Sequence, residues 1–272
     1  MGTYEKEIEE SAKILSTATH GSAFCGAGNS EESGIATFRD PGGLWDQVDP
    51  VEVGTAEGLI SALDRNADKL LPVFMEMLDS FEQADHNPGH KALADLESMG
   101  LLTSVITQNV DNLHQEAGSL EVIEVHGNLF RMKCLSCNRI KDVERKPFVS
   151  EIKEKLNSMT EFTLTNMASL APVCDTCSSM MRPDVVMFGE AVQHLPKAFG
   201  ISQNTDVMLV LGTSGNVYPA AYFPIEAKKS GARVIVINPT ENAFSSVTDV
   251  YIPLKTGEAL PAIVDKIKEM AH

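Results

Sequence analysis

Short, nearly continuous apolar runs recur along this chain, separated by amphipathic stretches. They fall at residues 22–25, 103–107, 122–125, 207–211, 233–237 and 249–252. Strands that are apolar on both sides suit a parallel sheet covered by helices on both faces. Helices are predicted over 4–19, where Ile8, Ala12 and Leu15 share a face, over 91–99 with Gly100 as the stop, and over 220–229 and 260–270. Two segments break the rhythm. Residues 41–88 open on Pro41-Gly42-Gly43, hold several short amphipathic stretches and close on Asn87-Pro88-Gly89 as a breaker, reading as a loop leading into a small helical module. Residues 129–182 carry paired cysteines. The expectation is one α/β domain over 1–272, its core built from about 1–40, 89–128 and 183–272, with a smaller lobe formed by the two insertions.

Cys134-Leu-Ser-Cys137 and Cys174-Asp-Thr-Cys177 are separated by 36 residues. Two Cys-x-x-Cys knuckles supply four thiolates, a tetrahedral set for one Zn2+. Four thiolates leave no open position for water or substrate, so the zinc is read as structural. The intervening segment must loop out or carry a helix, for which 152–158 is the candidate. The fifth cysteine, Cys25, ends an apolar strand and reads as core packing.

The strand ending at Cys25 runs into Gly26-Ala27-Gly28-Asn29-Ser30. Two glycines let a backbone approach a pyrophosphate, and a helix N-terminus after them favours negative charge. Glu31 stands where a third glycine would complete the dinucleotide fingerprint. Gly212-Thr213-Ser214-Gly215 is a second turn of this kind, and Asn238 follows the strand ending at Ile237, where a dehydrogenase usually has Asp or Glu. The fold class is thus α/β with a Rossmann-like parallel sheet, but the site does not read as that of an ordinary hydride-transfer enzyme.

Composition narrows the partners. The chain has 272 residues, 43% of them hydrophobic and 22% charged, with a net charge of −16. That charge opposes binding to a phosphate backbone, so no direct nucleic-acid binding is expected. It suits a basic peptide partner, or serves solubility alone. No run of about 18 apolar residues is present, so no membrane association is expected. The acidic start lacks the features of a secretory signal, and Lys6 spoils a myristoylation motif at Gly2, so a cytoplasmic location is expected.

Taken together, the motifs resemble the sirtuin family over nearly the whole chain. They are Gly26-Ala-Gly-Asn-Ser-Glu-Glu-Ser-Gly-Ile-Ala-Thr-Phe-Arg39, Thr107-Gln-Asn-Val-Asp-Asn-Leu-His114, Val125-His-Gly127, the cysteine pairs, Arg182-Pro-Asp-Val-Val-Met-Phe-Gly-Glu190, Gly212-Thr-Ser214, Val217-Tyr-Pro-Ala220 and Asn238. The resemblance implies an NAD-dependent protein-lysine deacylase using NAD as co-substrate. In it, the acyl oxygen displaces nicotinamide at the ribose, a base takes a ribose hydroxyl proton, and the acyl group leaves lysine on ADP-ribose.

By the same resemblance His126 is the general base, and Gln108 and Asn109 bind the nicotinamide ribose, Asn109 counting as catalytic. Asp111 holds the nicotinamide carboxamide. Gly26, Ala27, Gly28, Arg39, Gly212, Thr213, Ser214 and Asn238 hold the rest of the dinucleotide, Thr256 lies near the adenine, and Phe38 shields the reacting carbon from water. Val186, Phe188, Gly189 and Glu190 line the acyl-lysine tunnel or pair with the substrate backbone as an added strand. On the residues alone, His126 and His114 could be structural, Asn109 and Asp111 could cap a helix starting after Val110, and Phe38 could be core.

Ala36-Thr37 and Gly42-Gly43-Leu44-Trp45 are similar to the desuccinylase-like branch of the family. Gly54 stands where a bulky aromatic is common, which widens the acyl tunnel. That branch reads an acidic acyl group with Tyr and Arg on the helical module, and Phe74 and Met77 occupy those places here, so acetyl or longer apolar acyl groups are expected. Helix packing is the plainer role for both side chains. Asn29 stands where the family usually has an apolar residue, beside the expected nicotinamide pocket, and either alters nicotinamide affinity or points elsewhere. A second reading of the same site is mono-ADP-ribosyl transfer or NAD hydrolysis.

Overall fold

The computed structural model describes residues 4–35, 53–161 and 163–271. Six strands, β1 (Gly21–Cys25), β2 (Leu102–Thr107), β3 (Val122–Glu124), β7 (Val207–Leu211), β8 (Arg233–Ile237) and β9 (Val250–Ile252), form one sheet in the order β3-β2-β1-β7-β8-β9. Every pairing in it is parallel. All of β1 and β7 is buried, which is why these strands read as continuous apolar runs.

Helices α1 (Glu5–Leu15), α3 (Pro88–Ser98) and α9 (Thr256–Met270) cover one face, packing Leu15, Leu93, Leu96 and Ile263 on Val105, Leu209 and Ile235. Helices α7 (Leu195–Asn204) and α8 (Tyr222–Lys229) cover the other. There Phe24 meets Phe223 and Phe244 edge-on, with ring centroids 5.7 and 6.4 Å apart. The strand order reverses between β1 and β7, and a doubly wound sheet opens its ligand crevice at such a point, beyond the carboxyl ends of the strands. Helix α3 begins earlier than its sequence pattern suggests. Asn87 is an N-cap that closes a reciprocal box with His90, and Pro88 takes the first turn, so the apparent breaker is a helix start.

The insertions form the smaller lobe. Here α2 (Ala56–Gln83) is two helical segments joined across a kink at Asn66, where the dihedrals are non-helical, and Pro72 lies inside the second. Strands β4 (Gly127–Cys134), β5 (Ile140–Asp142) and β6 (Met181–Val185) make an antiparallel sheet in the order β5-β4-β6. The helix expected between the cysteine pairs is longer than anticipated, α5 (Arg145–Ser158), and a short α6 (Leu164–Ala168) follows it. Helix α4 (Leu113–Glu116) joins lobe to core: buried Arg145 pairs with Glu116 at 2.6 and 2.9 Å and donates to the Phe81 carbonyl. No helix among the described residues is long and apolar enough to cross a membrane.

Candidate functional site

Three turns meet where the strand order reverses. The Gly26 N–H donates to the Leu211 carbonyl and the Gly28 N–H to the Gly212 carbonyl, both at 2.9 Å. A Cβ on Gly28 would lie 2.9 Å from the Gly212 Cα, and one on Gly212 would lie 2.3 Å from the Asn29 nitrogen. These glycines are therefore needed for the two turns to pack against each other, before any approach to a pyrophosphate. The turn after β2 locks onto both. Gln108 Nε2 donates to Thr213 Oγ1 at 3.1 Å, and Asn109 Nδ2 donates to the Gly26 carbonyl and to Ser30 Oγ, each at 3.0 Å.

Ser30 is a hub that the sequence reading did not single out. Its hydroxyl donates to Asp111 Oδ2 at 2.7 Å and lies 3.4 Å from His90 Nε2. The Asn87 N–H donates to His90 Nδ1, so the His90 proton sits on Nε2 and faces Ser30. Asp111 Oδ1 accepts from the N–H of Leu113, the first residue of α4, at 3.0 Å, while its other oxygen serves this network; the N-cap itself is Asn112. Burial raises the Asp111 carboxyl above its usual range, against hydrogen bonds from Leu113 and Ser30 and the charge of Arg145. Burial pushes His90 down to about 2 and His114 to about 4, so both stay neutral; the rings meet edge to face with centroids 4.8 Å apart.

His126 ends the segment after β3. Its Nδ1 lies 3.2 Å from the Gln108 carbonyl, which can only accept, so Nδ1 carries the proton and Nε2 keeps the lone pair of a base. Burial lowers its pKa, and the bond to Gln108 opposes that shift. The His126 carbonyl accepts from the Val186 N–H at 2.8 Å, fixing the base beside the end of β6. Beyond it the Phe188 N–H donates to the Gly54 carbonyl at 2.8 Å, and Phe188 and Gly189 are exposed. Glu190 Oε2 accepts from Arg182 Nη2 at 2.7 Å.

The remaining candidates are scattered. Ser214 is exposed and its carbonyl accepts from the Ala243 N–H. Asn238 folds its amide onto its own loop, donating to the Thr240 carbonyl at 2.6 Å. Thr256 opens α9, buried against Gly89, its hydroxyl without a partner among the described residues. Asn29 is fully buried, with both amide atoms unpartnered among the described residues. Phe74 packs with Val53, Leu59, Ala62 and Leu63, and Met77 with Ile35, Phe81 and Phe130. Phe38, Arg39 and the segments 36–37 and 42–45 lie outside the described residues.

The cysteines converge. Their four Sγ atoms lie within 4.8 Å of one another, with Cys134–Cys177 and Cys137–Cys177 at 3.5 Å and Cys137–Cys174 at 3.7 Å. A tetrahedron with Zn–S bonds of 2.3 Å has edges of about 3.8 Å, so the donor set fits one zinc ion. Asn138 and Ser178, each just past a knuckle, have φ of 58°, and the sequence repeats this turn in both knuckles. Among the described residues the core beneath them is small: Met132, Cys134, Cys174 and Met181, with Val143 and Phe148 packed against it. Zinc would add to the cohesion of this zinc module. Cys174→Ala is expected to abolish a one-per-chain zinc content measured by mass spectrometry and to lower the melting temperature by on the order of 10 °C.

Residues 26–219 match the model of the Sir2 family. An NAD-dependent protein deacylase of Desulfosudis oleivorans is 53% identical over 98% of this chain and 97% of its own length. A Sir2 homologue solved with NAD superposes with a TM-score of 0.79 at 33% identity, over 97% of this chain and 95% of the other. A Sir2 protein bound to a myristoylated histone peptide gives 0.72 at 35% identity, over 98% of each chain.

Proposed function

The chain belongs to the Sir2 family, and from that premise we propose how its own residues carry out NAD-dependent deacylation of protein lysines. The activity follows from the similarity to deacylases over nearly the full length, and the relatives favour it over bare NAD hydrolysis or ADP-ribosyl transfer. The observation that carries the residue-level reading is the position of His126. Its ring is held by the turn that locks the glycine loops, and its backbone by the strand leading to Val186–Glu190.

Bound NAD supplies a ribose carbon that exchanges nicotinamide for the acyl oxygen. Gly26, Ala27, Gly28, Gly212 and Thr213 form the floor beneath the dinucleotide, with Ser214 and Asn238 at its rim. Asn109 is oriented by Gly26 and Ser30, and Asp111 offers a buried carboxylate to the carboxamide. His126 Nε2 takes the proton from the ribose hydroxyl. The acyl-peptide pairs with the Val186–Glu190 segment, exposed from Phe188 on, as an added strand. Protein substrates bearing acylated lysines are thus the partners.

The acyl chain runs towards Phe74 and Met77. The Phe74 cluster reaches the peptide segment through Val53, next to the Gly54 carbonyl that holds Phe188. Neither side chain can pair with an acyl carboxylate, and losing a bidentate charge-assisted partner costs about 1.5–3 kcal/mol. Succinyl-lysine is therefore expected to turn over roughly tenfold or more below acetyl-lysine or a long fatty acyl-lysine. Steady-state kinetics on one peptide carrying each group decides this, and a preference for succinyl would defeat the assignment. The similarity to a family member that binds a myristoylated peptide supports the apolar reading.

A further inference from the structure

Around the base lies a buried ionic clamp. Arg131 on β4 donates through Nη1 to Glu124 Oε2 on β3 and through Nε to Asp184 Oδ2 on β6, the latter at 3.0 Å. Both carboxylates are buried, at 6% and 7% exposure, so neither could stand unpaired without a large desolvation cost. Their other oxygens are also engaged. Glu124 Oε1 accepts from Gln115 Nε2 at 2.7 Å and Asn128 Nδ2 at 2.6 Å, and Asp184 Oδ1 accepts from Gln193 Nε2 at 3.1 Å. Lys133, largely solvent-facing, stands 3.9 Å from Asp184 at the edge.

The placement matters more than the energy. Glu124 lies two residues before His126, Asn128 two after it, and Asp184 two before Val186, where the substrate strand begins. Arg131 is the one side chain among these that reaches both carboxylates, on core strand β3 and lobe strand β6, and it stands beside the backbone bonds from Gln193 to Val125 and from Val186 to His126. A guanidinium is a planar fork that can hold two carboxylates at a set spacing, which an ammonium cannot.

Resting on the deacylase reading, we infer that Arg131 is a positioning residue for substrate: it fixes the spacing between the turn bearing His126 and the strand on which the acyl-peptide docks. In Arg131→Met, the KM for an acetyl-lysine peptide rises about tenfold or more, in keeping with the penalty for small misplacements, while the KM for NAD and the zinc content stay unchanged. A merely destabilised enzyme loses active fraction and keeps both KM values. Arg131→Lys recovers only part of the loss. The triple variant Glu124→Gln/Arg131→Met/Asp184→Asn removes the carboxylates together with their cation, so it folds without stranded charge and keeps the raised peptide KM. A wild-type peptide KM in Arg131→Met or in the triple variant would overturn the inference. Peptide-independent NAD consumption by the unsubstituted protein would instead overturn the deacylase reading.

Discussion

His126→Ala is expected to lower the kcat for acyl-peptide turnover by on the order of a thousandfold, the scale of a lost general base. The fold does not need the ring. The ring makes a 3.2 Å bond from Nδ1 to the Gln108 carbonyl, while the residue's backbone bond to Val186 survives the substitution. The melting temperature and zinc content should therefore hold, which separates lost chemistry from lost structure. The pH profile of the unsubstituted enzyme carries the same assignment. Burial disfavours the imidazolium, so the base stays neutral to a pH below the ordinary 6.5. The acid limb of kcat/KM should fall as pH drops through that lowered value. An acid limb above 6.5, or an alanine variant of near-normal kcat, would remove His126 from the role.

Gly127→Ala is expected to be as damaging by a different route. Gly127 has φ of 81°, a conformation that costs other residues about 1–2 kcal/mol. The added Cβ would also lie 1.8 Å from the Asp184 carbonyl oxygen and 3.0 Å from the Val185 Cα. Both atoms are backbone, in the register that pairs Gly127 with Val185, so neither can swing aside as a side chain would. The β4–β6 ladder must part beside His126. A destabilisation of at least about 3 kcal/mol and a hundredfold loss of kcat/KM are expected, read by thermal melting and steady-state kinetics. Wild-type behaviour would mean that this ladder does not hold the base.

Much of this was legible in the sequence, for reasons that differ by element. All six core strands could be read because burial on both faces leaves them largely apolar, as in Val207–Leu211. The zinc ligands could be read because chemistry fixes the cysteine spacing. Strands β4 and β6 were missed: one alternates between buried and part-buried positions and the other contains Pro183, so neither shows a continuous run. The extent of α2 was hidden by Asn66, where two helical segments meet at a kink, and by Pro72 inside the second. The Ser30–His90–Asp111 network joins residues 60 and 81 positions apart, and no local pattern reports such a meeting.

The most direct test of the central claim is nicotinamide release from NAD with one lysine peptide in unmodified and acetylated forms, together with the identity of the second product. Release that requires the acyl group, with the acyl recovered on ADP-ribose and lysine set free, is the predicted result. Release at equal rates with and without the acyl group, yielding ADP-ribose alone or ADP-ribosylated protein, would contradict it.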